Sequence, residues 1–262
     1  MTVGFKKPGE IVDSCCTVGQ AKTENSIAKL LVLGFLAGAY IAFGSLVAIA
    51  TGKGITAEGF GGLAKLIFAG TFPVGLMLVV IAGSELFTGN IGVITPSCLV
   101  GKSKWSGLLR NWVVVYIGNF IGSVFVAFFL GYLTNLFAND PYLTAVTGIA
   151  SGKVSLGFGP AFWRGVGCNW LVCLAVWLAV SANDIAGKVW AIWFPIMAFV
   201  AIGFEHSVAN MFFVPLGMFY GADVSWGQFI VNNLIPVTLG NIVGGGLFVG
   251  VIYWWLYGRK TA

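Results

Sequence analysis

Apolar residues in this chain run in blocks rather than in amphipathic stripes. Six stretches, 29–51, 65–100, 108–137, 161–182, 188–220 and 228–257, are long enough to cross a bilayer, which takes about 20 apolar residues of helix. The second and fifth are too long for one simple span and too interrupted for two. "GSELFTGN" breaks the second and "GFEHSVAN" the fifth. The pattern predicts an all-α membrane protein with six helices, the second and fifth broken.

The two broken stretches match each other. Gly83, Glu85 and Asn90 recur as Gly203, Glu205 and Asn210, 120 residues on, and Phe72-Pro73 recurs as Phe194-Pro195 at an offset of 122. Asn111, Gly118, Asn119 and Gly122 recur as Asn233, Gly240, Asn241 and Gly244, again at 122. An odd number of spans per repeat makes the second half enter the membrane from the opposite side. Gly-interrupted segments at corresponding places in inverted halves point to a transport site near the midplane. Irregular backbone persists at that depth only where it is buried in protein or lines a polar cavity. The expected layout is one transmembrane domain over 1–262. It has an N-terminal cytoplasmic segment (1–27), a first repeat (28–137), an extracytoplasmic linker (138–160) and a second repeat (161–258).

Composition agrees. The chain is 58% hydrophobic and only 9% charged, where a soluble domain carries about 25% charge. No apolar leader with a small-residue cleavage site precedes the first span, so that span is expected to serve as the insertion signal. Lys and Arg are asymmetric. With the N-terminus inside, ten (Lys6, Lys7, Lys22, Lys29, Lys102, Lys104, Arg110, Lys188, Arg259, Lys260) fall on the cytoplasmic side and four (Lys53, Lys65, Lys153, Arg164) outside. The positive-inside rule then puts both termini in the cytoplasm of a cell whose plasma (inner) membrane holds the chain. The net charge of +5 needs no nucleic acid as a partner; lipid is the partner of most of the surface.

Candidate chemistry is sparse. The five cysteines, Cys15, Cys16, Cys98, Cys168 and Cys173, show no metal-ligand spacing, and no metal or other cofactor is expected. Cys15-Cys16 reads as a redox-active pair or, more simply, as two free thiols. Glu85 and Glu205 are the two acids deep in the spans. Their symmetry argues for bracing, with each carboxylate taking hydrogen bonds from backbone amides freed by the break, and with Asn90 and Asn210 alongside. His206, the single histidine, breaks the symmetry, since its counterpart is Leu86. An ionisable ring at this depth is a functional candidate; the plainer reading is a neutral ring bonded to backbone. Thr88 in the opposite break can reach it. Asn169 in the fourth span is another uncharged polar candidate. Lys153 either sits in a solvated loop or dips toward the pore and attracts anions.

The stretches "AGSELFTGN", "RGVGCNWLVCLAVW", "GFEHSVANM" and "NNLIPVTLGNIVGG" resemble the formate/nitrite transporter family, over about residues 5 to 257. The resemblance implies an aquaporin-like fold, a homopentamer with a pore in each protomer, and small monovalent anions as substrates: formate, nitrite, hydrosulfide, in some members acetate or lactate. By the same resemblance the central histidine is His206, the threonine of the broken second helix Thr88, the vestibule lysine Lys153 and the buried asparagine Asn169. Its two apolar constrictions look like Phe72 with Leu76 on the cytoplasmic side, and Leu86, Val172 and Phe199 on the other.

A desolvated anion is very costly among apolar rings, while a neutral acid passes. On one expectation His206 supplies the proton. Using reference values, transfer from His to a simple carboxylic acid is uphill by roughly 2.6 units, about 3.5 kcal/mol in water. On another, the ring stays a neutral hydrogen-bond donor. An aquaporin-like channel for neutral solutes is the rival within the architecture, although it would be expected to carry an Asn-Pro-Ala pair, which is absent. No enzyme is expected: one histidine without a set of metal ligands or a paired nucleophile has little to catalyse with.

Overall fold

The computed structural model describes residues 4–55 and 60–258. Arg259 and Lys260, counted above for orientation, lie outside the described residues. Among the described residues, six helices are long and apolar enough to span a membrane: α2 (Ile27–Gly52), α3 (Gly61–Gly83), α5 (Trp105–Tyr132), α7 (Phe158–Ser181), α8 (Ile185–Ile202) and α10 (Trp226–Gly258). Two half-length helices, α4 (Phe87–Leu99) and α9 (Ser207–Phe219), follow α3 and α8 after short extended breaks. The second and fifth spans are therefore broken where the sequence places the interruptions, and the two halves form inverted three-span repeats.

Glycine makes each break. Gly83 and Gly203 end their helices at φ +86° and +87°, in the left-handed region that costs a side chain most and glycine least. The amides just beyond, Ser84 N and Phe204 N, reach back to Val79 O and Phe199 O, each at 3.0 Å. The chain then runs extended through Ser84 and Leu86 in one half and through His206 in the other before re-entering a helix.

Two further helices, in segments read from sequence as a polar N-terminal tail and a linker, complete the repeat. They are α1 (Pro8–Glu24) and α6 (Tyr142–Val154). Lys22 lies in the last turn of α1 and Lys153 in the last turn of α6. Each packs on the half-helix of its own repeat. A Cβ built on Gly19 of α1 would stand 2.7 Å from Val93 O of α4, and one on Gly217 of α9 would stand 2.7 Å from Val146 O of α6. The N-terminal end of α1 is fastened across the fold: Lys6 N donates to Ser181 O at 2.9 Å and Ser181 Oγ to Lys6 O at 3.0 Å.

Close helix contact frames the centre. A Cβ on Gly118 of α5 would meet Leu31 O of α2 at 2.9 Å, and one on Gly165 of α7 would meet Val237 O of α10 at 2.7 Å. Lipid offers helices no hydrophobic reason to associate, so such backbone proximity supplies the packing instead. Outward positions stay apolar, with Trp163, Trp190, Val32 and Ile185 among the most exposed large side chains. Cys15 and Cys16 are buried beneath α1 with Val93 and Trp177. Burial pushes the Cys15 thiol up to about 12, and Cys16 above its ordinary value too. Both are free thiols held away from the thiolate form that redox chemistry needs.

Candidate pore and its two vestibules

Each break is held open by the same polar brace. Asn119 Oδ1 accepts from Phe87 N, the first amide of α4, at 2.9 Å, while its Nδ2 donates to Gly34 O at 2.8 Å and Glu85 O at 2.9 Å. Asn241 repeats this on Ser207 N at 2.9 Å, Gly165 O at 2.8 Å and Glu205 O at 3.0 Å. Of the freed amides, Phe87 N and Ser207 N thus go to asparagine side chains of α5 and α10, and Glu85 N and Glu205 N to Leu33 O and Arg164 O, not to the glutamate side chains as the sequence suggested. The glutamates need their oxygens for cations and amides elsewhere. Glu85 accepts from Lys22 Nζ at 2.8 Å and Asn90 Nδ2 at 2.6 Å. Glu205 accepts from Lys153 Nζ at 3.0 and 3.1 Å, Asn210 Nδ2 at 2.7 Å and Asn233 Nδ2 at 3.2 Å. Asn111 and Asn233 close the loop by donating to Lys22 O and Lys153 O. Low-dielectric burial strengthens the satisfied bonds of such networks, while Asn210 Oδ1 is buried without a partner among the described residues.

Two cavities approach the centre from opposite ends. One, of about 550 Å³, opens beside α6 and is lined by Lys153, Glu205, Phe72, Phe199 and His206, with Lys53 and Lys65 also on its wall. The other, of about 520 Å³, opens beside α1 and is lined by Lys22, Glu85, Lys29, Leu76 and Leu86. Lysines outnumber the single glutamate in both linings, so each mouth favours anions. Lys153 therefore faces a vestibule instead of free solvent, with its ammonium 5.5 Å from the Phe213 ring centre. Lys22, its counterpart, carries no obvious sequence signal: the two are 131 residues apart, off the 120–122 register of the breaks.

Between the cavities, Thr88 Oγ1 and His206 Nε2 lie 3.0 Å apart, joining the two breaks across 118 residues. His206 Nδ1 accepts from Ala209 N at 3.0 Å and so caps α9; Leu86 at the equivalent place makes no side-chain cap. A ring nitrogen that accepts an amide proton carries none itself, so the neutral ring has its proton on Nε2, aimed at Thr88. Asn169 Nδ2 donates to Thr88 O at 3.2 Å and Asn241 O at 2.7 Å; its Oδ1 is buried and has no partner among the described residues. Cys173 Sγ also donates to Thr88 O, at 3.4 Å.

Apolar side chains line both cavities beside the centre, but they pair differently from the sequence expectation. Phe72 stands with Phe199 on the α6 side, their ring centres 5.8 Å apart, and Phe199 stacks on His206 at 5.9 Å. Leu76 and Leu86 line the α1-side cavity. Phe72 and Leu76 sit one helical turn apart on α3, and a turn advances about 5.4 Å, enough to assign them to different levels. Val172 is buried in the surrounding core.

A membrane-spanning bundle with two lysine-bearing cavities, one at each broken helix, has the architecture of a transport protein. The formate/nitrite transporter model matches residues 9–255. A probable formate transporter of Methanothermobacter thermautotrophicus is 53% identical, with 98% of this chain and 99% of that protein covered. Among solved structures, an FNT family ion channel superposes with a TM-score of 0.87 at 31% identity, covering 94% of this chain and 98% of its own. A pentameric formate channel with formate bound gives 0.78 at 39%, covering 89% and 98%. The chain belongs to the formate/nitrite transporter family, whose members are transporters and channels, not enzymes.

Proposed function

We propose that this chain passes small monovalent anions, formate foremost and nitrite or hydrosulfide besides, across the cell's plasma membrane, and that they cross the apolar barrier as neutral acids. The observation that carries this is the Thr88–His206 hydrogen bond standing between two lysine-bearing vestibules. The lysines draw an anion to either mouth. Phe72 and Phe199 on one side, and Leu76 and Leu86 on the other, exclude it until it is protonated. Neutral solutes would have no use for this charge, which favours the anion reading over an aquaporin-like one. The solved relative described as a pentameric formate channel supports formate as the permeant and five chains as the assembly. The Lys/Arg asymmetry supports an α1 side in the cytoplasm, with both termini inside.

His206 acts here as a neutral donor. An imidazolium would need its second proton at Nδ1, where Ala209 N now points, and losing that helix cap costs about 0.5–2 kcal/mol. The added cost comes on top of an uphill transfer. A neutral imidazole, for its part, donates its Nε2–H in a hydrogen bond but is too weak an acid to give that proton up. We therefore assign the proton to the hydronium pool of the solution, relayed to the anion through vestibule water, and to His206 Nε2–H the task of orienting the Thr88 hydroxyl toward the permeating acid. Asn169 Oδ1 offers an acceptor for the acid's O–H. The half-helices α4 and α9 aim their positive N-termini at the same region and ease any residual negative charge.

Purified protein in liposomes tests the reading. A formate gradient is expected to drive flux accompanied by protons, with nitrite and hydrosulfide passing as well. Glycerol permeation at the rate of formate, or formate flux that carries full charge, would refute it.

A further inference from the structure

The two vestibules share a brace and nearly the same volume, yet their walls differ. At equivalent places the α1-side cavity has Val79, Ser84 and Val93, and the α6-side cavity has Phe199, Phe204 and Phe213. Phe68 and Phe72 add two more rings to the α6 side, whereas no aromatic residue is among those lining the α1 side. The rings are paired with cations. Lys53 Nζ lies 5.3 Å from the centre of Phe68 and Lys153 Nζ 5.5 Å from the centre of Phe213. Those two rings stack at 6.1 Å, so an ammonium flanks each member of one aromatic pair.

Passing formate requires none of this. A single-carbon anion meets the lysines and needs no ring; the α1-side mouth manages with valines. What the arrangement matches is a flat ring that carries one negative charge. Its anionic group would meet an ammonium while its ring lies against phenylalanine edges and faces. There is room, since a cavity of about 150 Å³ suffices for benzene and this one holds about 550 Å³.

We propose that the α6-side vestibule is a binding site for aromatic monoanions, carboxylates or sulfonates, which are too bulky to pass Phe72 and Phe199 and so block the channel from that side alone. The proposal rests on the channel reading above for its transport consequence, but not for the binding itself. A sulfonate is the cleaner probe. It stays ionised, so it takes no proton and crosses no bilayer.

The test uses purified full-length protein in vesicles of each orientation, with benzenesulfonate as probe and methanesulfonate as its aliphatic control. Benzenesulfonate on the α6 side is expected to halve formate flux at a concentration at least tenfold below that needed of methanesulfonate, with no such difference on the α1 side. Phe213→Val, which copies the other half, is expected to weaken the block at least fivefold. Val93→Phe is expected to create a block on the α1 side. Calorimetric titration of benzenesulfonate into detergent-solubilised protein reads binding without reference to flux. Equal potency of the two sulfonates, or equal block from both sides, overturns the proposal. Absence of formate flux with binding intact overturns the channel reading instead.

Discussion

Lys22 and Glu85 meet at 2.8 Å across the α1-side vestibule, and the ion pair of Lys153 and Glu205 repeats them on the α6 side. In both, the carboxylate is almost wholly buried while the ammonium keeps some contact with the vestibule (side-chain exposures of 6% against 18% and 17%). A lysine so tied cannot follow an anion inward without leaving its glutamate. On the proposed reading, drawing anions then falls to the further lysines at the mouths, Lys29 on one side and Lys53 and Lys65 on the other, and the barrier is left to neutral species.

Breaking either pair should cost the fold about equally. Removal of one partner from a buried ion pair leaves the other uncompensated and costs about 3–5 kcal/mol. Glu85→Gln and Glu205→Gln are each expected to lower the thermal midpoint of the detergent-solubilised protein by several degrees, measured by intrinsic fluorescence. An unchanged midpoint in either variant would mean that the carboxylate braces nothing.

Asn119 and Asn241 should matter more than their neutral character suggests. Each makes three hydrogen bonds to backbone, two at its break and one to a neighbouring span, worth on the order of 1 kcal/mol apiece. Asn241→Leu is expected to destabilise by about 3 kcal/mol and to abolish formate flux, because Ser207 N and the Glu205 carbonyl lose their partner. Flux at wild-type rate in well-folded Asn241→Leu would show that the brace is dispensable.

His206→Asn separates the two tasks a ring could have. Asparagine retains a cap acceptor for Ala209 N and an amide donor, but it does not titrate. Passive formate flux is expected to stay within about tenfold of wild type, a loss of roughly 1.4 kcal/mol or less. His206→Phe, with neither cap nor donor, is expected to abolish proton-linked uptake. If His206→Asn is as dead as His206→Phe, the ring must titrate. If His206→Phe still carries protons at the normal rate, the ring has no part in passage.

Cys15 provides a pH test outside the spans. Its thiol is raised from 9.0 to about 12 by burial, so the folded chain holds this proton more tightly than the unfolded one. The stability tied to it is whole below pH 9 and is lost as pH rises through 9 toward 12. Maleimide labelling of native protein at pH 8 is expected to be far slower at Cys15 than in the denatured chain. Labelling at the same rate would place Cys15 at the surface.

Much of the fold was legible because a buried break leaves few options. Gly83 and Gly203, with a glutamate two residues on and an asparagine seven on, mark the interruptions without any coordinates. The rest hid for physical reasons. The α1 and α6 helices read as polar tail and linker because they lie outside the spans and follow a different offset from the breaks. Lys22 counts from sequence only toward orientation, whereas Lys153 is singled out by the family resemblance. The sorting of Phe72 from Leu76 depends on depth along α3, which sequence proximity conceals. The bonds of Phe87 N and Ser207 N to Asn119 and Asn241 follow a shared Gly-Asn pattern, but close helix packing explains that pattern equally well.

The mirrored layout has a consequence for the direction of flow. Two mouths built as copies give the conduit no built-in arrow, since the energy profile climbs from either end through the same fixtures. Rectification, wherever current or flux reveals it, is then traceable to the places where the copies part, among them Leu86 opposite His206, Thr88 opposite Val208, Val79 opposite Phe199, Ser84 opposite Phe204 and Val93 opposite Phe213. Making those pairs alike should bring the pore closer to running equally well both ways.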